Sequence, residues 1–162
     1  MSVRVGILTC SDRGARGKTE DTAGAYLKSA VAAMGWQVAE YAVVADVAKT
    51  ISATLRAWCD KKKLDLILTC GGTGFGPRDV TPEATRSLLD REAPGLASAL
   101  IAEGLKNTPL AALSRGVSGQ RKSTLVVNLP GSEKAVREGM SLLSRVLPHA
   151  VEMVRGRTAG HC

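Results

Sequence analysis

The sequence predicts an α/β protein, a three-layer α/β/α sandwich on a mostly parallel, mixed sheet. Apolar, β-rich runs alternate with segments of helical periodicity, and this order produces a parallel sheet between two helical layers. Runs at residues 114–118 and 124–129 flank a polar turn at residues 119–122, which predicts a hairpin and an antiparallel edge. The length of 162 residues favours one domain. We assign it to residues 1–155, with residues 156–162 as a frayed tail.

Each predicted element has a local signal. Residues 3–10 form an apolar run, typical of a strand buried on both faces. Asp21 or Thr22 begins a helix that Gly35 ends. The remaining predictions are strands at residues 37–44 and 64–68, a mobile basic loop at residues 14–18, and helices at residues 47–61, 82–91 and 96–106. A last helix is predicted from residue 133 to residue 147 or beyond.

The composition argues against a membrane protein and against a zinc protein. No apolar run approaches the roughly 18 residues of a spanning helix, and the chain enters a strand without a signal-peptide pattern. We therefore expect a cytoplasmic protein. The four cysteines form no CxxC pair and only two histidines are present, so we expect reduced cysteines and no zinc site. As an alternative, Cys10 or Cys70, each at a strand end, is reactive.

The positive charge raises the question of nucleic-acid binding. The net charge is +7 and the pI is about 9.5. Aromatic residues make up only 3% of the chain, so few side chains can stack on bases. The densest basic group, at residues 61–63, lies at the end of a predicted helix, where cations suit the helix dipole. A small polyphosphate substrate explains the charge equally well, so we do not expect nucleic acid as a partner.

The stretch after residue 70 carries the strongest chemical signal. Residues 71–76 contain four glycines, which let backbone N–H groups line an anion site. Arg78 and Asp79 follow, and Thr81-Pro82 is typical of a helix start with the threonine as N-cap. Arginine pairs with phosphate, whereas a carboxylate beside phosphate makes sense with Mg²⁺ between them. The stretch therefore predicts a phosphate-binding loop. It matches neither standard phosphate motif, and an unliganded tight turn is the alternative.

Other polar residues follow the predicted strands. Ser11, Asp12 and Arg13 come after the first strand. Asp46 comes after the second, and ligands bind at such strand ends in open α/β sheets. Asp46 has an alternative role as cap of the next helix, and Arg13 has one as ion-pair partner of Asp12 or Glu20.

Five motifs stand in one order along nearly the whole chain. They are VGILTCSDR at residues 5–13, DTAGAYL at 21–27, GGTGFGPRDVTPEAT at 71–85, the pair Ser114-Arg115, and NLPGS at 128–132. Together they resemble the molybdopterin adenylyltransferase family, the MogA/MoaB group, which includes the N-terminal domain of gephyrin. The resemblance implies the molybdopterin-binding-like α/β fold and a homotrimer.

The resemblance also implies a reaction. The family transfers AMP from Mg-ATP to the terminal phosphate of molybdopterin and releases pyrophosphate, and a molybdate-inserting protein acts downstream. Mg²⁺ is the implied cofactor, with Asp79 and Asp46 as catalytic carboxylates and Mg²⁺ ligands. The implied nucleotide and phosphate contacts are Ser11, Asp12, Arg13, Gly71, Gly72, Thr73 and Gly74, and the implied molybdopterin contacts are Ser114, Arg115, Pro130, Gly131 and Ser132.

Two other functions stay open. The first is a non-catalytic or weakly active molybdopterin-binding carrier or scaffold, because the short C-terminal end resembles relatives of low activity. The second is a nucleic-acid-binding module, whose affinity would fall steeply with salt. At single positions, Ser132 has an alternative role as a plain N-cap and Arg115 as a surface cation.

Overall fold

Six strands form one sheet in the computed structural model, which describes residues 2–157. The strands are β1 Arg4–Cys10, β2 Gln37–Val44, β3 Leu66–Cys70, β4 Arg91–Glu92, β5 Ser118–Arg121 and β6 Thr124–Leu129. Their order across the sheet is β2-β1-β3-β6-β5-β4. The first four of these are parallel, whereas β5 and β4 add an antiparallel edge. The predicted mostly parallel, mixed sheet is confirmed.

The helices cover both faces of this sheet. They are α1 Asp12–Ala15, α2 Thr22–Ala33, α3 Ala48–Asp60, α4 Thr81–Arg86, α5 Pro94–Leu105 and α6 Glu133–Val154, with a 3-10 turn at Pro109–Leu113. Residues of α2, α5 and α6 pack against one face, and residues of α3 and α4 against the other. The three-layer sandwich is therefore confirmed. Within residues 2–157, no helix is long and apolar enough to cross a membrane.

The central strands are apolar throughout because both of their faces are buried. Successive side chains of a strand point to opposite faces. Val5 and Ile7 of β1 accordingly join the core beneath α2 and α6, while Leu8 joins the core beneath α3. In β3, Leu68 joins the core beneath α2 and α6, and Ile67 joins the core beneath α3. At the carboxyl edge of the sheet, Cys70 pairs in register with Thr9, so Cys10 and Cys70 end neighbouring strands but face opposite cores.

Two element boundaries were predicted wrongly, and strand pairing explains both. The first strand of the hairpin is β5, not residues 114–118, and its turn lies at residues 122–123. The helix predicted at residues 82–91 ends at Arg86. Beyond it, Asp90 N donates to Gln120 O at 2.9 Å, and Ala93 N donates to Ser118 O at 2.7 Å. These contacts with β5 convert the end of the predicted helix into an edge strand.

Helix ends also differ from their predictions. Thr81 is not an N-cap: Val80 occupies that position, without a side-chain cap. The predicted mobile loop is in part the short helix α1, which Ser11 caps by accepting from Gly14 N. Asp21 caps α2 as predicted.

The last helix extends beyond Leu147, as predicted, and is anchored at its end. It runs through Pro148 to Val154. Arg155 directly after it donates to both carboxylate oxygens of Asp65, at 2.8 and 2.7 Å. The prediction of a frayed tail falls largely on residues 158–162, which lie outside the described residues.

Candidate active site

The glycine loop, residues 71–76, begins where β3 ends and requires glycine at its first two positions. Gly71 and Gly72 have φ of 97° and 66°, values that side chains other than glycine rarely adopt. A Cβ at Gly71 would lie 2.3 Å from Cys10 O, and one at Gly72 would lie 2.3 Å from Thr81 Oγ1. The loop is thus pressed against the end of β1 and the start of α4.

The backbone N–H groups of the loop have different roles. Gly71 N donates to Leu129 O at 3.1 Å, so this N–H is already used within the fold. Gly76 N donates to Asp79 Oδ2 at 2.8 Å. Among the described residues, the N–H groups of Gly72, Thr73 and Gly74 donate no hydrogen bond. These three consecutive donors are the part of the predicted cradle that remains available to an anion.

Asp12 and Asp46 join the ends of β1 and β2 through a reciprocal pair of hydrogen bonds. Asp12 N donates to Asp46 Oδ2 at 2.9 Å, and Asp46 N donates to Asp12 Oδ1 at 3.0 Å. Arg78 donates to both oxygens of Asp12, each at 3.0 Å. The hydrogen bonds from Arg78 and from the backbone of Asp46 lower the pKa of Asp12. The arginine that pairs with Asp12 is therefore Arg78, from the far side of the glycine loop, and not Arg13.

Asp46 does not cap α3, because Val47 holds the N-cap position without a side-chain bond. Its second oxygen, Oδ1, is buried and has no hydrogen-bond partner within residues 2–157, and the same holds for Thr81 Oγ1. Burial raises the pKa of Asp46, and the negative charges of Asp12 and Asp79 add to this effect. Buried oxygens of this kind normally have partners, so Asp46 Oδ1 marks a place where a polar ligand or cation fits.

Two cavities lie on either side of the contact between the glycine loop and the loop after β6. The polar cavity has a volume of about 280 Å³, and its lining includes Ser11, Asp21, Asp46, Gly72 and Gly131. The apolar cavity has a volume of about 370 Å³, and its lining includes Thr73, Gly74, Leu100, Ser114, Pro130 and Ser132. A Cβ at Gly131 would lie 3.3 Å from Gly71 Cα, so the two loops touch between the cavities.

Most of the predicted site residues therefore gather at this edge of the sheet, but four do not line either cavity. Asp12 is engaged with the backbone of Asp46 and with Arg78. Arg13 is exposed on α1. Asp79 is half-buried, with its carboxylate held by Gly76 N. Arg115 extends towards the glycine loop and donates to Gly74 O and Asp79 O, at 2.7 and 2.8 Å.

A polar network on the wall of the polar cavity was missed. Asp21 Oδ2 accepts from Thr9 Oγ1 and from Tyr41 Oη, both at 2.7 Å. Asp21 Oδ1 caps α2 through Gly24 N at 2.9 Å. The sequence signal was the DTAGAYL segment, in which we assigned Asp21 no role beyond starting a helix. Asp21 joins β1, β2 and α2 where these elements border the cavity.

The cysteines of the described residues are buried and free. Burial raises the pKa of Cys10 to about 12 and that of Cys59 and Cys70 to about 11. A thiol with a raised pKa is a poor nucleophile near neutral pH. The geometry thus favours the structural interpretation of Cys10 and Cys70 over the reactive one.

The chain is similar to known proteins over most of its length. Residues 6–149 match the family model described as a probable molybdopterin binding domain. The chain is 45% identical to the molybdenum cofactor synthesis protein cinnamon of Drosophila melanogaster, over 94% of this chain and 26% of that protein. It is 34% identical to the molybdopterin adenylyltransferase of Helicobacter pylori strain J99, over 96% of this chain and 89% of that protein. The chain therefore spans about a quarter of cinnamon and most of the bacterial protein.

A solved structure has the same fold. The molybdopterin biosynthesis enzyme MoaB of Thermus thermophilus superposes with a TM-score of 0.90 and 53% sequence identity, covering 95% of this chain and 97% of that one. The resemblance drawn from the five sequence motifs is confirmed. The chain belongs to the family of probable molybdopterin binding domains, together with the MogA and MoaB proteins.

Proposed function

We propose that this chain is a molybdopterin adenylyltransferase of molybdenum cofactor biosynthesis. It transfers AMP from ATP to the terminal phosphate of molybdopterin and releases pyrophosphate. The observation that carries the proposal is the pair of cavities that meet at one glycine loop. Relatives named for this activity, such as the Helicobacter pylori protein, match nearly the whole chain.

The two cavities suit two different substrates. The polar cavity offers the unused N–H of Gly72, the Asp46 carboxylate and Ser11, and this set of groups suits a phosphate chain. The apolar cavity combines Leu100 and other aliphatic walls with Ser114 and Ser132, a mixture that suits a flat heterocycle with polar edges. We assign ATP phosphates to the first cavity and molybdopterin to the second. Gly131 lines the first and Pro130 the second, so the loop after β6 would border both substrates.

The residues fit a Mg²⁺ ion shared with the substrate. Asp46 Oδ1 is a buried, unpartnered carboxylate oxygen, and oxygen is the ligand that Mg²⁺ prefers. Within residues 2–157, no group of three or more His, Cys, Asp or Glu side chains forms a metal site. Mg²⁺ commonly binds through one or two carboxylates together with substrate phosphates. Asp46 and Asp79 would hold the ion, which would supply neutralisation of phosphate charge.

The transfer requires no nucleophile from the protein. An oxygen of the molybdopterin phosphate forms a bond to the α-phosphorus of ATP, and the bond from that phosphorus to pyrophosphate breaks. Such reactions depend on positioning and on charge stabilisation. In this chain the loop N–H groups would orient phosphate, and the junction at Ser132, where α6 begins, would orient the second substrate through its helix N-terminus.

The decisive experiment is turnover. Purified protein is mixed with molybdopterin and Mg-ATP, and adenylated molybdopterin and pyrophosphate are followed with time. We expect product from the wild type and a rate lower by about 10²-fold or more in Asp79→Asn, which corresponds to about 2.7 kcal/mol. Unchanged melting would show that the variant folds. Wild-type rates in Asp79→Asn would contradict the role of this carboxylate, and bound molybdopterin without product would favour the carrier.

The assembly and the downstream partner also belong to this proposal. We propose a homotrimer located in the cytoplasm, whose product passes to a molybdate-inserting protein. Leu105 and Val146 are exposed apolar side chains that line neither cavity, and they provide surface that an oligomer would cover. Light scattering coupled to gel filtration would give about three times the 16.9 kDa chain mass if the trimer forms.

A further inference from the structure

We infer that Arg115 is a positioning residue, which holds the glycine loop and Asp79 in one conformation and does not bind molybdopterin. Its Nε donates to Gly74 O at 2.7 Å, and its Nη2 donates to Asp79 O at 2.8 Å. These two acceptors lie at the two ends of residues 74–79. One guanidinium group therefore closes this segment into a ring. The inference rests on the proposed function only where it gives Asp79 a role in turnover.

The same guanidinium also joins the loop to the helix that follows. Its third nitrogen, Nη1, pairs with Glu83 in the first turn of α4. The guanidinium carbon lies 5.8 Å from the centroid of the Phe75 ring, within range of a cation–π contact. Phe75 is 72% exposed, so its ring lies near the guanidinium at the surface of the loop. All three nitrogens of Arg115 are thus used by the loop and by α4.

The backbone that carries Arg115 is itself firmly held. Arg115 N donates to Thr73 O at 2.9 Å. Two residues later, Val117 N donates to Asn128 Oδ1 at 3.1 Å, and Asn128 N donates to Val117 O at 3.0 Å. Asn128 is a buried residue of β6. Arg115 therefore reaches out from backbone that is anchored to β6, and the loop that it contacts contains four glycines.

Arginine suits this task better than lysine does. A planar guanidinium presents five N–H donors in a rigid fork, whereas an ammonium is a point charge on a flexible stem. Gly74 O and Asp79 O are carbonyl acceptors, so direction matters more than charge here. Without the Arg115 guanidinium, the four glycines would let the loop adopt many conformations. The Asp79 carboxylate would then move with the loop.

Hydrogen exchange in the absence of substrate tests the clamp directly. The N–H groups of Gly76, Asp79 and Thr81 are hydrogen-bonded within the loop or to Gly72, so their exchange reports its order. In Arg115→Ala we expect about 10-fold faster exchange over residues 74–81, from the loss of about 1.4 kcal/mol of hydrogen bonding. Arg137→Ala removes an exposed arginine of α6 and is the matched control. Unchanged exchange in Arg115→Ala would overturn the inference.

Steady-state kinetics separates positioning from substrate binding. For Arg115→Ala and Arg115→Lys we expect kcat to fall by about 10-fold or more, with the KM for molybdopterin within about 2-fold of the wild type. A raised KM with unchanged kcat would identify Arg115 as a molybdopterin ligand and contradict the inference. Arg115→Lys keeps the charge and serves if the alanine variant does not fold. If the wild type forms no product, the proposed function fails, while the exchange result still decides on the clamp.

Discussion

Asp46 is the residue at which stability and function make opposite demands. Its Oδ2 is satisfied by Asp12 N, while its Oδ1 is buried without a partner among the described residues. Burial, together with the charges of Asp12 and Asp79, raises its pKa. A carboxylate in this state costs free energy in the empty protein and favours the binding of a cation. This cost is expected at a functional site.

Replacing Asp46 with Asn should therefore stabilise the protein and slow turnover. Because the pKa of Asp46 is raised in the folded state, this side chain contributes most to stability below its unfolded-state pKa, which is about 4. The contribution is lost as the pH rises through the folded-state pKa. The stability gained in Asp46→Asn should thus be larger at pH 7 than at pH 4, as measured by urea unfolding. Turnover should fall by about 10-fold or more.

Glu92→Gln is a suitable control for this change, because Glu92 pairs with Arg86 on the surface. Exposed ion pairs contribute little to stability, so neither the free energy of unfolding nor the turnover rate should change in Glu92→Gln. A loss of stability in Asp46→Asn at pH 7 would contradict the interpretation of Asp46 as a carboxylate held at a cost.

At the scale of elements, the junction between β6 and α6 combines a structural and a functional role. Ser132 is the N-cap of α6, and its Oγ accepts from Ala135 N at 3.2 Å. The same residue lines the apolar cavity. The N-terminus of a helix also favours anions. Capping and ligand binding are therefore compatible at this position, and both sequence interpretations of Ser132 can hold together.

Two substitutions of Ser132 separate these roles. Ser132→Ala removes the cap and should lower the free energy of unfolding by about 1 kcal/mol. Ser132→Asn restores a capping oxygen and should recover this stability, but it changes the group presented to the cavity. If Ser132 contacts molybdopterin, the KM for molybdopterin should rise in both variants. A KM that recovers together with stability in Ser132→Asn would show that only the cap matters.

At the scale of the whole molecule, the end of the described chain is tied to the start of two strands. Asp65 accepts from Arg155 and, through Oδ2 at 2.8 Å, from the backbone N of Arg4. Burial alone would raise the pKa of Asp65, but the hydrogen bonds from Arg155 and Arg4 outweigh it and lower the pKa. This carboxylate thus joins β1, the approach to β3 and the end of α6.

Asp65→Asn should cost about 2 kcal/mol of stability at pH 7, the range for hydrogen bonds to a charged group. Because its folded-state pKa is lowered, Asp65 contributes stability above its unfolded pKa near 4, and this contribution is lost as the pH falls through the folded pKa. Wild type and variant should therefore converge in unfolding experiments as the pH falls below about 4. Glu133→Gln, which breaks the exposed pair with Arg137, should change little at any pH. A constant difference across this pH range would show that charge is not the cause.

The elements that could be predicted are those whose signal is local. Strands β1 and β3 are continuous apolar runs because both of their faces are buried. The N-caps Asp21 and Ser132 each accept a hydrogen bond from a backbone N–H only three residues further along the chain. Thr81 misled the prediction because the sequence pattern of an N-cap does not reveal that the chain turns one residue earlier, at Val80. The edge strand β4 was missed because it exists only through pairing with β5.

The sequence by itself determined the α/β class, the glycine loop and the family, because these depend on residue order and on short motifs. Only the tertiary structure decided which partners the charged side chains choose. Arg78 pairs with Asp12, 66 residues away, and Arg115 pairs with the loop carbonyls of Gly74 and Asp79, 41 and 36 residues away. Such contacts form between elements that the sheet topology brings together, and no local pattern encodes the distance between them.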